Sequence, residues 1–290
     1  MNNFIYQKVK SPKEAIELLI QYKGKARILA GGTDLLINMK CRRINPEMLV
    51  DIKGIQEFQG IRFDGTTLFL GALVSIRDIE TSKVIGEKFK LLSEAAAHLG
   101  SIQTRNLATL GGNICNGSPA ADMAPALLCL GAKAKIIRPK GEELISLEDF
   151  FRGPGQTTLS AEGLLAAVHV QPLPANTGCA YEKYSIRKAM ALPVINVAVA
   201  LTVGGDPQTC QGIKIALGSM GPIPARVRRA EERLKGQKLN QDLIREASEI
   251  AAEDAKPITD IRASAEYRKE MAKIITQRAI TQAWDAVGIP

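Results

Sequence analysis

Two glycine pairs set among small polar residues are the parts of this chain best suited to bind a ligand. The first pair is Gly31-Gly32, and the second is Gly111-Gly112. Because glycine lacks a Cβ and adopts positive φ at little cost, such segments let backbone N–H groups approach an anion closely. Each pair lies between a strand-like and a helix-like run. The sequence therefore favours one long phosphate-bearing ligand held from two sides, although ordinary tight turns share this pattern.

The residues around the first pair have defined expected roles. We expect the backbone N–H groups of Gly31, Gly32 and Thr33 to face a phosphate, next to the N-terminus of the helix that follows. Asp34 would be unfavourable beside an anion. We therefore expect its carboxylate to cap that helix and to stay clear of the phosphate.

The residues around the second pair add side-chain groups. We expect Thr109 to supply a hydroxyl, and Gly112 and Asn113 to supply backbone amides and a carboxamide. Asn116 and Asp122 are suited to the hydroxyls of a sugar or polyol. The chain has neither G-x-x-x-x-G-K-[ST] nor a G-x-G-x-x-G that opens a helix after a strand. A mononucleotide P-loop and the usual NAD-binding pattern are therefore unsupported.

The composition is that of a globular protein with more than one domain. The chain has 290 residues, of which 46% are hydrophobic and 23% are charged. Its formal net charge is +8, but acidic residues are interleaved with the basic ones. The basic clusters at 42–43 and 226–229 lack interleaved aromatic residues. We therefore expect a partner-facing surface and no nucleic-acid binding.

The cysteines argue against a metal centre in this chain. Five of them are scattered, and no C-x-x-C pair occurs. That spacing disfavours an iron–sulfur cluster or structural zinc, and an odd number of cysteines favours reduced thiols in the cytoplasm. The most apolar stretch, 194–203, is much shorter than the ~20 residues of a membrane span. We expect a cytoplasmic chain without a membrane span.

The predicted elements divide the chain into three segments. Residues 1–57 form a small β-α-β unit, whose first helix begins with the capping box at Ser11. Residues 58–173 form a second unit. The predicted elements of the second unit are strands at 67–70, 134–137 and 164–170 and helices at 89–99 and 119–130.

A third segment, 178–290, follows a linker at 172–178 that is rich in Pro, Asn, Thr and Gly. Its predicted elements are strands at 180–186, 194–203 and 213–217, then helices at 225–235, 239–255 and 264–286. Strands followed by helices predict an α+β domain in which helices cover one face of an antiparallel sheet.

Five segments together resemble a known family. They are Ala30-Gly-Gly-Thr-Asp-Leu35, Ile102-Gln-Thr-Arg-Asn-Leu107, Thr109-Leu-Gly-Gly-Asn113, Ser118-Pro-Ala-Ala-Asp122 and Tyr181-Glu-Lys-Tyr-Ser-Ile-Arg187. Their order and spacing are similar to those of the FAD-binding medium subunit of molybdenum hydroxylases, the group of xanthine dehydrogenase and carbon monoxide dehydrogenase. The resemblance runs through nearly the whole chain. Each segment alone would be a weak signal.

The resemblance implies an α+β, two-subdomain FAD-binding fold of the vanillyl-alcohol-oxidase type, followed by the C-terminal domain. It implies that the first glycine segment and the second hold the pyrophosphate from opposite sides. It implies no catalytic and no metal-binding residue in this chain. The implied FAD contacts are Leu29, Ala30, Gly31, Gly32, Thr33, Asp34, Leu35, Ala72, Leu99, Gly100, Thr109, Gly112, Asn113, Asn116, Ala121, Asp122, Leu164, Leu165 and Lys183.

Lys183 matches a lysine near the pyrimidine edge of the flavin. A cation there stabilises the charge that accumulates on N1/O2 when the flavin is reduced. Composition alone favours a solvated strand lysine instead. The sequence departs from some relatives at Leu99, where they carry an aromatic residue, and it lacks the cysteine-rich iron–sulfur insertion that others carry.

The implied function is electron transfer in a complex of three kinds of subunit. A large subunit carries the molybdenum cofactor, a small one carries [2Fe–2S] clusters, and FAD in this chain passes electrons to an acceptor such as NAD⁺, a quinone, ferredoxin or O₂. A heterotrimer or a dimer of heterotrimers is implied. The alternative is a self-contained FAD-dependent reductase, similar to the enolpyruvyl-sugar reductase of wall synthesis. That alternative requires a proton-donating serine, for which Ser185 and Ser219 are candidates.

Overall fold

The first unit is a three-stranded parallel sheet flanked by two helices. The structure is a computed structural model that describes residues 3–287, so the outermost residues of the first and third predicted segments lie outside it. The elements of this unit are β1 (Ile5–Lys8), α1 (Pro12–Gln21), β2 (Ala26–Leu29), α2 (Leu35–Lys40) and β3 (Met48–Asp51). The strand order is β1-β3-β2, so β3 is central and all four of its residues are buried. Ser11 caps α1 as predicted, because its side chain accepts a hydrogen bond from Glu14 N.

The second unit is a five-stranded antiparallel sheet with six short helices. Its elements are β4 (Ile61–Phe63), β5 (Leu68–Gly71), α3 (Ile76–Thr81), α4 (Lys83–Lys88), α5 (Lys90–Ala97), α6 (Ile102–Leu107), α7 (Leu110–Cys115), α8 (Met123–Cys129), β6 (Lys133–Arg138), β7 (Gly141–Ser146), β8 (Phe151–Gly153), β9 (Gln156–Thr157) and β10 (Leu164–Val170). The strand order in the sheet is β4-β5-β10-β6-β7, and β8 and β9 form a separate ribbon. The helices pack on one sheet face, where they form the largest core cluster.

The third unit is a four-stranded antiparallel sheet between helices. Its elements are β11 (Thr177–Tyr184), β12 (Ile195–Val203), β13 (Cys210–Gly218), β14 (Ala225–Arg226), α9 (Arg228–Leu234), α10 (Gln241–Asp254) and α11 (Ala265–Asp285). Helices α9 and α11 pack on the sheet, and α10 packs against both of them. Helix α8 of the second unit also packs on the sheet, against β12 and β13, and Ala198 and Ala216 of these strands belong to the core of the second unit. The third sheet is therefore joined directly to α8, the helix that packs against α7, which contains the second glycine pair.

Several element boundaries differ from the sequence-based prediction. Strand β1 was not predicted, because all four of its side chains are exposed and show no alternation. Helix α8 begins at Met123 instead of 119, because Ser118 closes a turn by accepting a hydrogen bond from Ala120 N at its Oγ. Helix α9 begins at Arg228 instead of 225, because the preceding residues pair with β13 as β14.

Replacing Gly178 by alanine is expected to destabilise the third unit. A Cβ at this position of β11 would lie 1.9 Å from the carbonyl oxygen of Ala283 in α11, so strand and helix would have to separate. We expect the free energy of unfolding to fall by about 1–3 kcal/mol, the usual cost of overpacking. Urea denaturation of the full chain measures it. Gly205→Ala is the control, because nothing lies within 4 Å of its added Cβ, and equal midpoints for the two variants would contradict this packing.

Candidate functional site

The first glycine segment forms a turn of free backbone amides at the carboxyl end of the parallel sheet. It connects β2 to α2, and Gly32 has φ +76°, a conformation that favours glycine. Within residues 3–287, the N–H groups of residues 31–35 form no hydrogen bond. Ligands of α/β units bind at this end of the sheet, and consecutive free amides make a concave anion site. The geometry is therefore that expected for phosphate binding.

Asp34 does not cap α2, and the prediction that it does is wrong. Its side chain makes no capping hydrogen bond, and its backbone is already helical, with φ −101° and ψ −46°. A capping residue normally has an extended backbone that lets its side chain reach the amides of the first turn. Asp34 is instead an exposed residue of the amide turn, and partial burial of its carboxyl raises the pKa of that group.

The second glycine pair lies inside the first turn of helix α7. Thr109 caps this helix, since its Oγ1 accepts a hydrogen bond of 3.0 Å from Gly112 N. Asn113 N donates to the carbonyl of Thr109 at 3.0 Å. The expectation that Gly112 and Asn113 supply free backbone amides is therefore wrong, because the helix already uses both N–H groups.

Close packing requires glycine at two of the four positions in the glycine pairs. A Cβ on Gly31 would lie 2.1 Å from the carbonyl oxygen of Leu107, and a Cβ on Gly111 would lie 2.7 Å from that of Ala72. The first contact sets the amide turn against the residues that precede Thr109. The two glycine segments are therefore side by side, although 75 or more residues of chain separate them.

Gly112 and Asn113 still present groups that suit a ligand. Gly112 is exposed, and only Thr109 Oγ1 lies within 4 Å of the position of an added Cβ. The Oδ1 atom of Asn113 is buried and has no hydrogen-bond partner among the described residues. Asn116, one helical turn after Gly112, is also exposed. Free amides in one segment and an unpartnered carboxamide oxygen in the adjacent one fit a ligand with both phosphates and hydroxyls, as FAD has.

Asp122 and Lys183 form a buried ion pair between the second and third units. Lys183 Nζ lies 2.9 Å from Asp122 Oδ1, and the two side chains are 5% and 8% exposed. Lys183 Nζ also donates to the carbonyl of His98 at 2.9 Å. Burial raises the pKa of the Asp122 carboxyl, and the Lys183 ammonium opposes that rise. Lys183 is thus a fixed cation beside the predicted site and not a solvated strand lysine.

Two further buried polar side chains join this pair, and the sequence analysis did not assign them a role. Tyr181 donates from its hydroxyl to the carbonyl of Asp122 at 3.0 Å. Asn196 Nδ2 donates to that hydroxyl at 3.1 Å and lies 3.4 Å from the carbonyl oxygen of Ala121. Alternation along β11 puts Tyr181 on the same face as Lys183, which is the one sequence signal that identifies it.

The segment at Leu99 and Gly100 is fixed by a buried arginine. Arg105 donates from Nη1 to the carbonyl of Leu99 at 2.9 Å and forms an ion pair of 2.7 Å with Glu80. Gly100 has φ +53°, and its carbonyl accepts a hydrogen bond of 3.1 Å from Met190 N. The turn predicted to line the flavin is therefore held by hydrogen bonds at both residues and contacts the loop between β11 and β12.

The remaining predicted contacts lie within packed structure. Ala72 N donates to Ala166 O, and Ala72 O accepts from Gly111 N. Leu164 is buried in the core of the first unit, against which Ala30 packs, and Leu165 is buried in the core of the second. Leu29, at the end of β2, is buried as well. Their side chains therefore shape the walls of the site from within the cores.

Lys53 is a cation near the amide turn that the sequence analysis missed. Its Nζ lies 2.9 Å from Asp51 Oδ2 and donates to Ala30 O at 3.4 Å. Parallel strands end at the same edge of a sheet, so the position of Lys53 just after β3 was the available signal. It adds positive charge where the turn offers free amides.

A half-open cavity of about 630 Å³ lies elsewhere, on the outer face of the five-stranded sheet. Arg62, Phe69 and His169 line it, and none of the predicted FAD contacts does. Burial, Lys135 and Arg62 lower the pKa of His169. His169 therefore faces this cavity and belongs to a different surface from the glycine segments.

Two family models match the chain. One, described as the FAD binding domain in molybdopterin dehydrogenase, matches residues 2–174. The other, described as the CO dehydrogenase flavoprotein C-terminal domain, matches residues 180–283. Within residues 3–287, no helix is long and apolar enough to cross a membrane.

Relatives and solved structures match over nearly the full length. The carbon monoxide dehydrogenase medium chain of Hydrogenophaga pseudoflava is 33% identical over 97% of both chains. The xanthine dehydrogenase FAD-binding subunit of Escherichia coli O157:H7 is 32% identical over 98% of this chain and 97% of that one. The structure of carbon monoxide dehydrogenase from Hydrogenophaga pseudoflava superposes with a TM-score of 0.96 at 32% identity over 99% of each chain. Quinoline 2-oxidoreductase from Pseudomonas putida 86 superposes with a TM-score of 0.92 at 30% identity, over 99% of this chain and 98% of that one. The chain therefore belongs to the family of FAD-binding medium subunits of molybdenum hydroxylases.

Proposed function

We propose that the amide turn at residues 31–35 binds the pyrophosphate of FAD and that helix α7 presents Thr109, Asn113 and Asn116 to the same cofactor. The observation that carries this proposal is the direct contact of Gly31 with the residues just before Thr109. It brings the segment with free N–H donors against the segment that carries the Thr109 hydroxyl and the unpartnered Oδ1 of Asn113. Phosphate oxygens would accept from the amides, and a cofactor hydroxyl would donate to Asn113.

The site supports binding and electrostatic tuning of the flavin. Bound FAD supplies redox chemistry, because it exchanges electrons singly or in pairs. The buried Lys183 ammonium holds positive charge at a fixed position, which favours any anionic charge that develops beside it. Arg105 and Met190 hold the Leu99–Gly100 turn, which is proposed to lie beside the flavin.

We further propose that the chain works in a complex with a large molybdenum-cofactor subunit and a small [2Fe–2S] subunit. Electrons would arrive from the small subunit and leave to an external acceptor such as NAD⁺. A heterotrimer or a dimer of heterotrimers in the cytoplasm is our proposal for the assembly. The names of the relatives, which are medium chains and FAD-binding subunits of dehydrogenases, support it.

The alternative, a self-contained reductase, gains no support from its two candidate serines. Ser185 Oγ donates to Arg187 O at 2.9 Å, and the buried Ser219 Oγ donates to Pro193 O at 3.2 Å. Both hydroxyls are therefore engaged with backbone carbonyls. Neither has a neighbouring carboxylate among its hydrogen-bond partners in residues 3–287.

Native purification tests the proposed function. We expect the chain to purify from its own cells with FAD and with two further chains, one containing iron–sulfur clusters and the other molybdenum. Visible spectra, metal analysis and mass spectrometry of the released cofactor measure this. A yellow chain that purifies alone would favour the self-contained reductase. A chain that stays colourless after FAD is added would contradict FAD binding.

Substitutions at Gly112 and Asn113 test the assignment of the site. Gly112→Val fills the surface beside Thr109, and Asn113→Ala removes the unpartnered carboxamide, so each is expected to weaken FAD binding at least tenfold. Flavin fluorescence titration measures the affinity, and thermal melts measure folding. The control is Gly86→Val, at an exposed helical glycine with nothing within 4 Å of an added Cβ. Full affinity in both test variants would show that α7 does not contact FAD.

Lys53→Gln tests whether Lys53 assists the amide turn. Because Lys53 is half-exposed and already paired with Asp51, we expect FAD affinity to fall only about three- to tenfold, with a weaker dependence on salt. Titrations at low and high ionic strength measure both effects. Lys83→Gln is the matched control, because Lys83 is an exposed lysine on α4 whose Nζ lies 3.9 Å from Glu87 Oε1. An unchanged salt dependence in Lys53→Gln would rule out a role for this cation.

A further inference from the structure

A continuous column of buried polar groups connects the third sheet to the predicted flavin site. It runs from Asn196 through the Tyr181 hydroxyl to Asp122 and ends at Lys183. Tyr181 is 6% exposed and Asn196 is fully buried. The column crosses from β12 to β11 and then to the start of α8, so it joins two units of the fold.

The absence of a side chain at Gly218 makes room for the side chain of Asn196. Asn196 pairs with Gly218 on β13, where an added Cβ would lie 2.2 Å from Asn196 Oδ1. The Oδ1 atom has no hydrogen-bond partner among the described residues, so one buried polar atom of this side chain is left unsatisfied. Buried polar groups are costly, and well-packed apolar residues of similar size often replace them without loss of stability. The column is therefore poorly explained by stability alone.

The Tyr181 hydroxyl holds the backbone of Asp122 and contacts its carboxylate. It donates to the backbone carbonyl of Asp122 and lies 3.5 Å from the Oδ1 atom of the same residue. The ring of Tyr181 also packs against the ring of His98, 5.5 Å away, and the carbonyl of His98 accepts from Lys183. Asn196 Nδ2 fixes the position of the hydroxyl by donating a hydrogen bond to it. One tyrosine thus contacts the surroundings of both charges.

We propose that Tyr181 and Asn196 are positioning residues that hold the Asp122–Lys183 ion pair and thereby set the reduction potential of the bound FAD. The inference depends on the proposed function, in which Lys183 lies beside the flavin. A cation near the flavin favours the reduced, more negative form, and a carboxylate paired to that cation opposes this effect. The balance between the two depends on how firmly the carboxylate is held as an anion.

The direction of the effect follows from the groups that face Asp122. They are Lys183, Tyr181 and His98, and the hydrogen bond from Tyr181 favours the ionised carboxylate. Without that bond, Asp122 takes up a proton at higher pH, and the positive charge of Lys183 is no longer balanced. We therefore expect Tyr181→Phe to raise the reduction potential of FAD. In a plot of that potential against pH, the change in slope caused by Asp122 is expected to move to higher pH.

The experiment compares the potential of bound FAD in wild-type and variant proteins. Spectroelectrochemical titration from acidic to alkaline pH, on the FAD-loaded protein with its co-purifying chains, gives the midpoint. Tyr181→Phe is expected to change the equilibrium constant for two-electron reduction about tenfold, which is ~30 mV. The double variant Tyr181→Phe/Asn196→Leu removes both partners and leaves no orphaned group between them, so it provides the measurement if the single variant unfolds.

Two controls separate this inference from the proposed function. Tyr184 follows Lys183 on β11, and Tyr184→Phe removes its hydrogen bond of 2.7 Å to Tyr267. This variant should leave the reduction potential unchanged. Lys183→Met should lower the potential. If Lys183→Met shifts the potential and neither Tyr181 variant does, the inference fails and the proposed function stands. If Lys183→Met has no effect, or wild-type protein binds no FAD, the placement of the flavin is wrong and the inference falls with it.

Discussion

The contact between the backbone of Gly31 and the carbonyl of Leu107 is the constraint on which the site depends. No side chain, not even a methyl group, fits between these two segments. The contact is possible because Gly31 belongs to the turn after a parallel strand, and Leu107 ends a helix of the antiparallel unit. It joins the free amides of the first segment to the polar side chains of the second, since these amides then lie beside the cap of α7. The close packing of two units therefore creates the candidate site.

Electrostatics of the site depend on the third unit. In the proposed site, the parallel and antiparallel units would provide uncharged donors and acceptors for the cofactor, with Lys53 nearby. The fixed positive charge comes from β11, and its counter-ion comes from the start of α8. A cation supplied by a separate sheet can be adjusted without altering the phosphate-binding segments. The glycine segments and the cation thus lie in different parts of the chain, and separate family models match these two parts.

The sequence was sufficient for the fold class, the family and most long elements, because capping residues and apolar periodicity are local signals. It was less informative about the second glycine pair, where the expectation of free amides at Gly112 and Asn113 failed. A helix of six residues has too little periodicity to be recognised. Asp34 was misassigned because capping depends on its backbone angles, which composition does not reveal. Asn196 was beyond sequence reasoning, because its position depends on a cross-strand pairing with Gly218.

The polar column also has a consequence for biosynthesis. Asp122 is translated 61 residues before Lys183, and the sheet that orders Asn196 needs β13, which ends at Gly218. Folding during synthesis proceeds from the N-terminus in units. A nascent chain that has completed only its first two units therefore displays both glycine segments, while Asp122 still lacks its cation. The charge environment proposed for the cofactor is therefore completed after the glycine segments, which makes its electrostatic setting a later event in the maturation of the protein.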